Sequence, residues 1–152
     1  MPVHHRQAIL ACFALALATV AFGPRLYVST LPYTAQLVAR GGTWSDLTTG
    51  SGTRHRVVVH RIPEHCFSPG VGVAVQAGRV PTDSIVALAS LLAGLASEQA
   101  VRPGDRYVTV FVAVGDGHHW PWSRLDGAHY AWHRSSPDGR WKLLSSSRPF
   151  GR

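Results

Sequence analysis

The chain has 152 residues, 45% hydrophobic and 15% charged, and a formal net charge of +7. That length suits one domain with a real core rather than two, and the composition excludes disorder throughout. Fourteen of the fifteen basic residues are Arg, with a single Lys and no Asn. Lys and Asn use A-rich codons, so part of the Arg excess reflects a GC-rich coding sequence. It comes with no basic helix and no aromatic and basic motif of an RNA-binding sheet, so nucleic acid is not an expected partner.

Residues 1–24 read as a signal peptide or a membrane anchor. A polar start with Arg6 precedes the uninterrupted apolar residues 8–22, which end at Gly23 and Pro24. This run is shorter than the roughly 20 residues of a full span and suits the apolar stretch of a signal peptide better. Thr19 and Ala21 place small residues at the two positions that signal peptidase inspects, so cleavage after Ala21 is one expectation, with Ala16 and Ala18 as an earlier site. The other is an uncleaved anchor, lengthened past Arg25 by Leu26, Tyr27 and Val28. In both cases the membrane is a partner through this segment and the rest of the chain is exported, although Arg25 and Arg40 compete with Arg6 in setting orientation. Cys12 lies early in the apolar run, whereas a lipidated Cys follows such a run, so lipidation is rejected. Within this segment Cys12 cannot pair with Cys66, and no disulfide framework exists.

Residues 25–53 read as a linker with a short helix over 33–40, stopped by Gly41 and Gly42. Residues 43–53 are rich in Gly, Ser and Thr. An α+β domain is expected over 54–146. It opens with a short β-branched strand at Val57, Val58 and Val59, closed by Pro63. A loop with His65, Cys66 and Phe67 leads into a strand over 71–77, in which Val71, Val73 and Val75 face one way and Gly72, Ala74 and Gln76 the other. The small side is expected to let a helix pack close. That helix covers 85–96, where Ile85, Leu88, Leu92 and Leu95 recur at helical spacing, after a turn and cap at Pro81, Thr82 and Asp83 and before a turn at Pro103, Gly104 and Asp105. Val86, Ala89, Leu91 and Ala96 widen its apolar surface, leaving Ser84, Ala87, Ser90, Gly94 and Ser97 for solvent.

Residues 107–114 are apolar on both sides and read as the central strand. Residues 128–134 and 140–145 make a hairpin around Pro137, Asp138 and Gly139, with Trp132 and Trp141 as a candidate cross-strand pair. The tail over 147–152 is expected to fray. The sum is a small, mostly antiparallel sheet in the order β-β-α-β-β-β, with one buried helix on one face and an apolar helix ahead of it.

Nine histidines are many for this length. Imidazole and thiolate ligate zinc or copper, which makes His65, Cys66, His118 and His119 the candidate ligands, with His60, His129 and His133 behind them. His129 and His133 lack the Glu of a zinc-protease motif, and on a strand they stand about 13 Å apart. Solvated histidines on a basic surface account for them as well, and no cofactor is expected. For a histidine-based hydrolase the best acid and base pair is Asp116 with His118. There is no G-x-S-x-G elbow and no phosphate-cradling glycine loop. The sharper signal is the aromatic loop after Gly115, Asp116 and Gly117: Trp120, Trp122 and Arg124, with Tyr130 nearby, are of the types that dominate binding hot spots. The expected function is an exported or membrane-tethered interaction module that binds another envelope protein or the membrane surface through the Trp120 to Arg124 loop. A small metal-dependent or histidine-based hydrolase is the alternative.

Overall fold

A computed structural model describes residues 3–63, 69–78, 82–114 and 127–147. Its elements are α1 (Val3–Thr30), α2 (Tyr33–Ala39), β1 (Thr43–Thr48), β2 (Arg54–Ile62), β3 (Gly70–Gln76), α3 (Thr82–Gln99), β4 (Tyr107–Ala113), β5 (Gly127–His133) and β6 (Lys142–Ser147). The six strands form one sheet in sequence order. β3 and β4 are parallel and the other neighbours antiparallel. A parallel pair needs a crossover, and α3 supplies it. The fold is α+β, and β2 to β6 reproduce the expected order β-β-α-β-β-β.

α3 forms where its apolar residues fall on one stripe. Ile85, Ala89, Leu92 and Ala96 are buried and meet Val71, Val73, Val108, Val110 and Val112. The expectation that the small face of β3 receives this helix is therefore corrected. Val71, Val73 and Val75 stand beside Val108, Val110 and Val112, and that continuous valine surface is the one whose burial drives packing. The solvent strip of α3 is also wider than expected, since Val86 and Leu91 are exposed.

The linker reading of residues 43–53 is corrected too. Thr43–Thr48 is an edge strand paired along its length with β2. A single apolar side chain is enough to seat it: Leu47 is buried in the core. Gly41 and Gly52, both at positive φ, turn the chain at either end. The expected short helix over 33–40 is present as α2. It lies on the sheet face opposite α3, where the Tyr33 ring packs 4.3 Å from that of Phe111.

α1 is longer than the apolar run suggested. It continues through Pro24 to Thr30, and its apolar window Arg6–Val28 spans 23 residues at a mean hydropathy of 1.9, with none of it buried. By length and composition it can cross a membrane. Cys12 is exposed on it.

The β5 and β6 hairpin is present, but Trp132 stands opposite Leu143 rather than Trp141. Both tryptophans instead pack against α3, lining a cleft of about 200 Å³ with Ser90, Ala93, Gly94 and Ser97. The Arg134 guanidinium lies 4.8 Å over the Trp141 ring. β6 runs to Ser147, and the expected tail beyond it lies outside the described residues.

Candidate functional site

Trp120, Trp122 and Arg124, with His118 and His119, fall within 115–126, outside the described residues. The chain enters this stretch from the last residues of β4 and leaves it at Gly127, the start of β5. His65 and Cys66 fall within 64–68, also outside the described residues, between the end of β2 and the start of β3. Because β3 and β4 run parallel, the 64–68 segment adjoins the beginning of β3 and the 115–126 segment the end of β4. The start of β3 and the end of β4, the described strand ends next to the two candidate ligand pairs, are thus at opposite ends of the strands, roughly 20 Å apart.

Tyr130, the one described member of the candidate binding set, is buried. It is only 4% exposed and sits in the core beneath α3. Alternation explains this: Ala128, Tyr130 and Trp132 share one side of β5, the side on which Tyr130 stands opposite Val110.

Among the histidines, His60, His129 and His133 occupy the other face, the one α2 lies on. His129 and His133 are four residues apart on one strand, and His60 is three strand spacings from β5, roughly 14 Å away. Among the described residues no group of three His, Cys, Asp or Glu could hold a metal ion.

His60 itself is a packing residue. Its ring lies over Gly72, where an added Cβ would collide with the imidazole, and its buried Nδ1 has no hydrogen-bond partner among the described residues. Burial holds the His60 imidazole below the usual histidine range, and does the same to His129. Burial also raises the Tyr33 phenol, partly offset by the nearby Arg40 charge.

A polar knot closes the edge of the sheet where β3 and β4 begin. Arg61 donates to both oxygens of the Asp105 carboxylate, at 2.5 and 3.0 Å. Asp105 also accepts the Arg102 amide at 2.6 Å. Arg134 donates to the main-chain oxygens of Asp105, Arg102 and Pro103. These groups all hold the turn after α3, which makes the knot structural.

The α2 face carries one arrangement that sequence reading missed. Trp44 on β1 is 43% exposed, and the Arg56 guanidinium lies 4.9 Å over its ring. A shallow hollow of about 300 Å³ opens there among Trp44, Ser45, Asp46 and Arg56. A second, beside the end of α2, is lined by Arg40, His60 and Arg61. The signal was present: glycines at 41, 42, 50 and 52 bracket residues 43–48, the length of one strand. Compared with protein-family models, with curated proteins and with solved structures, the chain matches none.

Proposed function

We propose that the chain is a membrane-tethered interaction module. In this reading α1 stays attached as an anchor, the α+β domain stands outside the cytoplasm, and the 115–126 loop captures another envelope protein through Trp120, Trp122 and Arg124. One observation carries it: α1 is a continuous 23-residue apolar span with no residue buried, a surface that water disfavours and a bilayer accepts. The passage of α1 through Pro24 into a stretch tied to α2 favours the anchor over the cleaved signal.

The loop assignment rests on residue chemistry and placement. Two tryptophans and an arginine lie in the sequence that connects the adjacent strands β4 and β5, and connections between the strands of a rigid sheet are where scaffolds present binding residues. The test is Trp120→Ala with Trp122→Ala in the full chain, using crosslinking in intact envelopes to recover the partner. The variant is expected to keep its thermal midpoint and lose the crosslinked species. Capture that persists at the original level contradicts the assignment.

A further inference from the structure

The two faces of the sheet differ in charge. Arg54 and Arg56 on β2 and Lys142 on β6 share the face on which α2 lies, by alternation from Val58 and from the pairing of Lys142 with His133. Arg40 follows the last turn of α2. All four are exposed. Among the described strand residues of that face Asp46 is the sole acidic one, and Arg56 stands opposite it. On the other side of the sheet the cations are matched: Arg61 pairs with Asp105, Arg134 is bound to the carbonyls of the turn that holds Arg102 and Asp105, and Glu98 lies on α3.

The basic face is also the one nearest the anchor. α2 starts three peptide steps after α1 ends, a reach of at most roughly 11 Å. The connector is tied down: the buried Gln36 donates its side-chain amide to the Leu31 carbonyl at 2.8 Å, and the Gln36 main-chain amide bonds the Pro32 carbonyl at 2.9 Å. The Tyr33 ring then fixes α2 to Phe111 on the sheet. Wherever α1 leaves the bilayer, this face follows within a short distance. Trp44 beneath Arg56 adds the aromatic type that settles at the boundary between membrane and water.

We infer that the α2 face of the sheet, through Arg40, Arg54, Arg56 and Trp44, rests on anionic phospholipid headgroups of the membrane that α1 enters. The inference depends on the anchor reading of α1. Charge complementarity names the occupant, because exposed cations beside a bilayer surface gain from anionic lipid and gain only within about a Debye length of it. A soluble acidic protein would have to displace the lipid already held there by the tether.

The test uses the full chain with Cys12→Ser and Cys66→Ser, carrying a nitroxide at Thr48→Cys on this face or at Ser90→Cys on the exposed side of α3. Each is reconstituted into phosphatidylcholine vesicles with or without phosphatidylglycerol, both containing a nickel-chelating lipid. The expected result is relaxation enhancement at position 48 but not at 90, only with phosphatidylglycerol, and its loss in the Arg40→Gln, Arg54→Gln, Arg56→Gln triple variant. Equal enhancement at both positions, or the same value at 48 in pure phosphatidylcholine, overturns the inference while the anchor stands. A chain that alkaline carbonate strips from the vesicles overturns the anchor and this inference together.

Discussion

At the scale of single residues, a close fit in the sheet is that of His60 over Gly72. An imidazole occupies the space where any other residue would place its Cβ, so Gly72→Ala is expected to overpack the site and lower stability by about 2 kcal/mol. His60→Ala in the same chain should recover most of that loss, as read from urea unfolding of the two variants and the double variant. The buried imidazole also makes stability depend on pH. In the folded chain burial lowers the pKa of His60 and of His129, while in the unfolded chain both return to about 6.5. Below that value the unfolded chain binds more protons, so the contribution is fully present above pH 6.5 and is lost as pH falls toward the folded pKa. The urea midpoint is expected to drop between pH 7.5 and pH 5, and to drop less in the His60→Ala variant.

At the scale of elements, much was legible and the misses have particular causes. α3 could be read because Ile85, Leu92 and their neighbours repeat at helical spacing, and β4 because its valines alternate. β1 could not, because an edge strand needs only one buried side chain, Leu47, and the rest of it resembles a linker. The burial of Tyr130 followed from the phase of β5, but an aromatic close in sequence to Trp120 and Trp122 invited grouping with them. The side of β3 that meets α3 was misjudged because small residues were weighed above apolar area. What holds the elements together at one edge is the Asp105 knot, invisible in sequence since Arg61, Asp105 and Arg134 are far apart along the chain. The Asp105 side chain is 8% exposed and that of Arg61 42%. Asp105→Ala leaves Arg61 partly solvated but strips the Arg102 amide of its acceptor and frees the turn, so a loss of about 2 to 3 kcal/mol is expected. Arg61→Ala strands a nearly buried carboxylate and is expected to cost at least as much. Thermal midpoints of the two variants check both values. A change of under about 0.5 kcal/mol in either would reduce the knot to an ordinary surface contact.

At the scale of the whole molecule, a valine-rich sheet with α3 on one face and α2 on the other accounts for the globule, while the apolar window of α1 has no buried residue. Its full length was hidden in the sequence by Gly23 and Pro24, which read as an end. A proline inside a helix loses one main-chain hydrogen bond, but α1 runs on to Thr30 and reaches α2 almost at once. That continuity links the apolar helix to the basic face of the sheet. The most direct measurement is the intact mass of the native chain recovered from membranes washed with alkaline carbonate. The protein is expected to stay in the membrane fraction at its full 16.4 kDa. A chain released by carbonate, or one shortened by cleavage after Ala21, would contradict it.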